Sequence, residues 1–194
     1  MVETLRISVT DRCRLNCVYC RAGSRKEFAD EKEMLTFDEI GSIAQITSGM
    51  GITRYRITGG EPLERKNVAE LVSILKNIEG TSDVSMTTNG LKLAKMAECL
   101  KKAGLDRVNI GLNTLKRERY RKICGADMLG KVIGSLDKAL ETGFNMVKLN
   151  VVLLKGINDD EIPDFASLTM ERPLSVRFIE YFSTGKYEMH PGTM

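Results

Sequence analysis

From residue 4 to residue 182 the chain repeats one two-part pattern: a short run with apolar and polar residues alternating, then a longer run with apolar residues every three or four positions. Period two is the mark of a half-buried strand, and a period near 3.6 that of an amphipathic helix. The pattern predicts strands over 4–10, 54–58, 83–87, 107–112, 145–153 and 175–182. Between them it predicts helices over 36–48, 67–77, 91–103 and 131–142, and a weaker one over 159–169. Thr36 suits a helix N-cap. Gly49-Met50-Gly51, Gly104 and Gly143 fall where a helix hands back to a strand, the usual place for a left-handed C-cap. Strands alternating with helices in this way are built from parallel βα units.

The alternation within the strands carries more. Strands buried on both faces of a parallel sheet read as nearly continuous apolar runs, and these do not. Leu5, Ile7 and Val9 alternate with Arg6, Ser8 and Thr10; Tyr55 and Ile57 with Arg56 and Thr58; Val84 and Met86 with Ser85 and Thr87. Val108 and Ile110 alternate with Asn109 and Gly111, and Val147, Leu149 and Val151 with Lys148 and Asn150. Successive side chains point to opposite faces, so helices on the apolar face leave a polar face lining something wet or ligand-filled. The expected fold is α/β, a partial (β/α)6 barrel with a polar-lined lumen and its chemistry at the strand C-termini. A sheet with one solvated face is the alternative. The sixth strand does not follow the pattern clearly. No linker or low-complexity stretch divides the chain, so residues 1–194 read as a single core domain.

Composition narrows the function classes. The 194 residues carry a net charge of only +3, with 42% hydrophobic and 28% charged residues, and no run of like charges calls for nucleic acid or an anionic membrane. No leader peptide or transmembrane stretch is visible, so a cytoplasmic location is the expectation. Three of the five cysteines crowd together, which fits a reducing compartment better than a disulfide framework.

That crowd is Cys13, Cys17 and Cys20, in a loop directly after the first strand. A structural zinc site wants four protein ligands, and the single histidine, His190, is far along the chain. Three thiolates at x3 and x2 spacing describe instead a [4Fe-4S] cluster with one iron left open, although zinc or unrelated reduced cysteines stay as alternatives. A second motif, Thr58-Gly59-Gly60-Glu61-Pro62, ends the second strand; two glycines permit close backbone approach and the proline fixes the turn.

Together the two motifs resemble the signature of the radical S-adenosylmethionine (SAM) superfamily. The resemblance implies a cluster held by Cys13, Cys17 and Cys20, with SAM on the open iron and Tyr19, Gly59, Gly60 and Glu61 beside it. Within that superfamily the chain is similar to the GTP 3′,8-cyclase family of molybdenum cofactor biosynthesis, through L-R-I-S-V-T-D-R-C at 5–13, R-I-T-G-G-E-P-L at 56–63, T-T-N-G at 87–90, G-F-N-M-V-K-L-N at 143–150 and R-F-I-E at 177–180. Carried over, this implies that Arg6, Arg56, Thr87 and Lys148 contact GTP, and that Gly111 and Phe182 stand where the family places a SAM-contacting serine and methionine. Arg6, Arg56 and Lys148 lie on polar strand faces, where a triphosphate would satisfy them; pairing with carboxylates such as Glu61 or Glu180 is the plainer alternative.

The family's further three cysteines for a second cluster, and its terminal glycine tail, are not in this sequence. A related enzyme acting on a peptide or another purine, and a non-catalytic remnant, are therefore the competing readings. Cys99 and Cys124 stand singly and read as packing residues. An electron donor for the cluster is an implied partner, and the open edge of the sixth strand is a place where two copies could pair. No general base is nominated, because the cofactor supplies the difficult chemistry.

Overall fold

Each alternating run becomes a strand because its two faces meet different surroundings. In the computed structural model, which describes residues 2–20 and 28–181, six parallel strands form one sheet in sequence order. They are β1 (Thr4–Ser8), β2 (Arg54–Thr58), β3 (Asp83–Thr88), β4 (Arg107–Gly111), β5 (Met146–Leu153) and β6 (Ser175–Glu180). The helices are α1 (Phe37–Gly49), α2 (Val68–Lys76), α3 (Leu93–Lys102), α4 (Arg117–Cys124), α5 (Leu129–Thr142) and α6 (Ile162–Glu171). Tyr55, Ile57, Val84, Met86, Val108, Ile110, Val147, Leu149 and Val151 fill the apolar face of the sheet and are buried. In the same core lie Leu71, Val72 and Leu75 of α2, Leu93, Ala97 and Leu100 of α3, Val132 and Leu136 of α5, and Phe165 of α6. Burying a side chain of this size is worth about 1.5–3 kcal/mol, so this layer of helix on sheet carries the stability.

On the other face the register aligns the polar positions in rows. Arg6 lies beside Arg56, Arg56 beside Ser85, and Ser85 beside Arg107. Thr87, Asn109, Lys148 and Ser175 form the next row, and Gly111, Asn150 and Arg177 the one after. The expected polar inner face is therefore present. Among the described residues β1 pairs only with β2 and β6 only with β5, so the barrel is partial, with two open edges.

Several boundaries differ from the expectation. The first strand ends at Ser8, although Val9 still donates to the Thr58 carbonyl at 2.9 Å. The weak helix over 159–169 splits into a 3-10 turn, Asp159–Glu161, and α6, with Pro163 in the first turn of α6 where its missing N–H costs nothing. β6 stops at Glu180; it is largely exposed, and its Phe178 ring packs edge-on against Phe165 at 6.4 Å. Phe182 lies outside the described residues. The helix α4 was not foreseen. Cys99 corrects the packing expectation, being exposed on α3, whereas Cys124 is buried. The cap on α1 is the expected one and more: Thr36 Oγ1 accepts from Glu39 N at 3.2 Å while Glu39 Oε2 accepts from Thr36 N at 2.7 Å. No helix among the described residues is long and apolar enough to cross a membrane.

Candidate functional site

The cysteine loop leaves the C-terminal end of β1 and is fastened along its length by backbone. Gly60 N donates to Thr10 O at 2.6 Å and Glu61 N to Arg12 O at 2.7 Å. Asn16 N donates to Cys124 O at 3.1 Å and Val18 N to Ile123 O at 2.9 Å. The two glycines of the second motif are explained by this fastening. A Cβ on Gly59, whose φ is +150°, would stand 2.4 Å from Thr10 O, and one on Gly60 would stand 2.4 Å from Arg12 O. What the glycines visibly approach is the backbone of the cysteine loop, and any side chain there would push it off the sheet.

Glu61 is buried, with both oxygens engaged. Oε1 accepts from Leu63 N at 3.0 Å and from the Thr88 hydroxyl at 2.7 Å, and Oε2 accepts from Asn89 N at 2.6 Å. Burial pushes its carboxyl above the usual range, against the pull of these donors. The carboxylate thus ties the end of β2 to the end of β3. It brings Asn89 over the loop, where its Nδ2 donates to Cys13 Sγ at 3.7 Å. Tyr19 is tied in the same manner: its hydroxyl accepts from Asn113 Nδ2 at 2.6 Å, and Asn113 Oδ1 accepts from Val152 N at 2.8 Å. Burial, and then the neighbouring Cys17, push the Tyr19 phenol up. Glu161, fully buried, repeats the device between β5 and β4, accepting from the Thr114 hydroxyl at 2.6 Å, from Leu115 N at 2.7 Å and from Arg119.

Of the three thiols, Cys13 and Cys17 are half-buried and Cys20 is exposed; all are free. Among the described residues no three acidic, histidine or cysteine side chains converge on one point, so the thiols share a loop without forming a closed ligand shell. Cys17 is turned toward Cys124, whose thiol pushes that of Cys17 up, with burial adding to the effect. Burial pushes the Cys13 thiol up as well. The donor set still fits an iron–sulfur group. Three soft thiols stand in one loop, one of them already accepting a hydrogen bond of the kind that cluster sulfurs take.

The polar face of the sheet carries the second half of the site. Arg6, Arg56, Arg107, Lys148 and Arg177 lie close enough to repel one another: burial first, then these neighbours, pull Arg56 and Lys148 below their usual values. The acid among them is Asp83, held by Arg107 at 2.5 Å. The pairing of Arg6, Arg56 or Lys148 with Glu61 or Glu180 that the sequence left open does not occur among the described residues. Arg56 Nε and Arg107 Nε are buried donors without partners, of the kind that an acceptor-rich, anionic ligand would satisfy, and Asn150 Oδ1 is a buried acceptor that a donor group would satisfy. Thr87 is half-buried on the same face. Gly111, one row on, has open space: a Cβ there would meet only Thr88 O, at 3.7 Å. Sequence reasoning named neither Arg107 nor Arg177 as a site residue, though both fall on the polar register. It also missed Asn89 and Asn113, whose roles depend on contacts between distant loops.

Comparison with known proteins agrees with this geometry. The family model described as the radical SAM superfamily matches residues 7–169. The GTP 3′,8-cyclase of Alkaliphilus oremlandii is 45% identical over 185 residues, which is 95% of this chain and 58% of that protein. The GTP 3′,8-cyclase of Moorella thermoacetica is 47% identical over 184 residues, 95% of this chain and 57% of that one. The chain thus spans somewhat more than half the length of these curated relatives. Among solved structures, Streptococcus suis SuiB bound to S-adenosylmethionine superposes with a TM-score of 0.81 at 20% identity, over 95% of this chain and 42% of that one. Methylornithine synthase (PylB) superposes at 0.73 and 20% identity, over 92% and 53%. A thiol loop at the strand C-termini, a glycine turn locked beneath it and a match running from the end of β1 through β5 have one common explanation: this chain belongs to the radical SAM superfamily.

Proposed function

We propose that the chain is the radical-generating core of a GTP 3′,8-cyclase, converting GTP to 3′,8-cyclo-7,8-dihydro-GTP in molybdenum cofactor biosynthesis. Cys13, Cys17 and Cys20 would hold a [4Fe-4S] cluster, with Tyr19, Gly59, Gly60, Glu61 and Gly111 framing SAM. Together these groups supply one-electron chemistry able to take a hydrogen atom from a ribose carbon. The protein's own part is placement. Glu61 and Asn113 fix the loop, while Arg6, Arg56 and Lys148, with Thr87, receive the triphosphate. Arg107 and Arg177 add to the positive field that draws it in. The electron comes from an external donor.

The observation that carries this reading is the cation-rich sheet face, with buried guanidinium nitrogens lacking partners, on the same sheet whose C-terminal edge bears the three-thiol loop. The test is anaerobic reconstitution with iron and sulfide, followed by SAM, dithionite and GTP. Formation of 5′-deoxyadenosine together with a cyclised GTP product is expected. Deoxyadenosine without consumption of GTP would overturn the substrate, and absence of deoxyadenosine would overturn the radical reading itself.

A further inference from the structure

Cys124 is a buried thiol for which the proposed chemistry has no use, and it stands against one that the chemistry needs. The residues flanking Cys17 donate to two successive carbonyls at the end of α4: Asn16 N to Cys124 O at 3.1 Å and Val18 N to Ile123 O at 2.9 Å. These two bonds flank Cys17 and press it against the last turn of α4, where Cys124 lies. A disulfide needs such a close backbone approach, with Cα atoms about 4.4–6.8 Å apart. The close approach is built in, since Gly125 ends α4 at φ +72° and a Cβ there would meet the Asn16 backbone at 3.3 Å. The two thiols are near enough to perturb one another: Cys124 pushes the Cys17 thiol up, and Cys17 pulls that of Cys124 down. The Tyr120 hydroxyl, buried and otherwise without a partner, sits beside the Cys124 sulfur.

We propose that Cys17 and Cys124 form a reversible disulfide when the loop holds no cluster, with hydrogen peroxide or a related hydroperoxide as oxidant. One sulfur attacks the peroxide: an S–O bond forms, the O–O bond breaks, and a sulfenic acid and one water result. The second sulfur attacks the first, forming the S–S bond and breaking the S–O bond, and the second water leaves with the remaining proton. Two thiols and one peroxide thus become one disulfide and two waters, and a dithiol reductant restores both thiols by exchange. The disulfide itself depends only on the thiol pair. Its consequence, that iron cannot be loaded until the bond is reduced, rests on the cluster assignment proposed above. The device shields a ligand sulfur from irreversible oxidation at the moment when it is unprotected.

The experiment treats cluster-free protein with one equivalent of hydrogen peroxide, blocks the remaining thiols, and maps the linkages by mass spectrometry without reduction. The expected result is a Cys17–Cys124 linked peptide and the loss of two of the five free thiols, both recovered with dithiothreitol. In Cys124→Ala the linked peptide is absent, and Cys17 appears instead as sulfenic acid, trapped with dimedone, passing to sulfinic acid only when a second equivalent of peroxide is added. A Cys17 link to Cys13 or Cys20 in the unaltered protein would overturn the proposal, as would five thiols surviving the treatment. Iron uptake by the reduced protein is measured separately. If reduced protein takes up no iron while the linked peptide forms, the cluster assignment fails and the disulfide stands.

Discussion

Glu61 spends both carboxylate oxygens on three donors from the ends of two strands, and this explains why an acid is found in so buried a place. Gln would present an N–H group to the Asn89 N–H. Glu61→Gln should therefore destabilise the fold by about 1–3 kcal/mol, the cost of a buried donor left unsatisfied, and lower the urea midpoint at unchanged slope. Nothing local in Gly-Gly-Glu-Pro reveals this role, because Thr88 and Asn89 lie some distance along the chain and meet Glu61 only once β2 and β3 pair. Arg56 was legible, since its place on the polar register is fixed by period two alone. With its Nε buried and unpartnered, Arg56→Ala should weaken GTP binding by about 1–3 kcal/mol, the scale of a hydrogen bond to a charged group, while far-UV circular dichroism stays unchanged. Equal affinity in the two proteins, by calorimetry, would remove the triphosphate from this face.

At the scale of elements, the strands were readable because each has one apolar and one polar side, and β2 falls on the expected residues 54–58. Helix α4 was not. R-E-R-Y-R-K-I-C has only three apolar positions in a strongly charged segment, so no long apolar stripe announces it. The signal was nevertheless there: Tyr120, Ile123 and Cys124 stand at i, i+3 and i+4, they are the buried residues of the helix, and Gly125 supplies its left-handed cap. Ile123 packs in the core and its carbonyl receives Val18 N, so Ile123→Ala should cost about 2–5 kcal/mol and loosen the cysteine loop, seen as faster amide exchange at Val18. Asp160, beyond β5, binds α4 through Arg119 and Lys116, which hold its carboxyl down at about 2. A depressed carboxylate stabilises the fold above its unfolded value, about 3.9, and that contribution is lost as pH falls toward about 2. Acid titration of the unaltered protein against Asp160→Asn should show a stability difference that is constant above about pH 4 and vanishes near about pH 2.

The whole molecule sets an apolar, helix-covered side against a sheet face where, among the described residues, Arg6, Arg56, Arg107, Lys148 and Arg177 crowd together and Asp83 is paired with Arg107. Such a face repels itself, so added inorganic triphosphate should raise the thermal midpoint and rising monovalent salt should shrink that gain; scanning calorimetry across salt concentrations reads both. The order of the strands has a consequence for synthesis. Every strand's sheet neighbour is the one made just before or just after it, so the nascent chain can lay the sheet down one unit at a time as it leaves the ribosome. The thiol loop does not share that privilege: Ile123 and Cys124, which help to seat it, are translated about a hundred residues after it. Before that point the loop is held only from the side of β2 and β3, through Gly60, Glu61 and Asn89, so on the proposed cluster assignment the seat for metal is complete only once α4 has arrived.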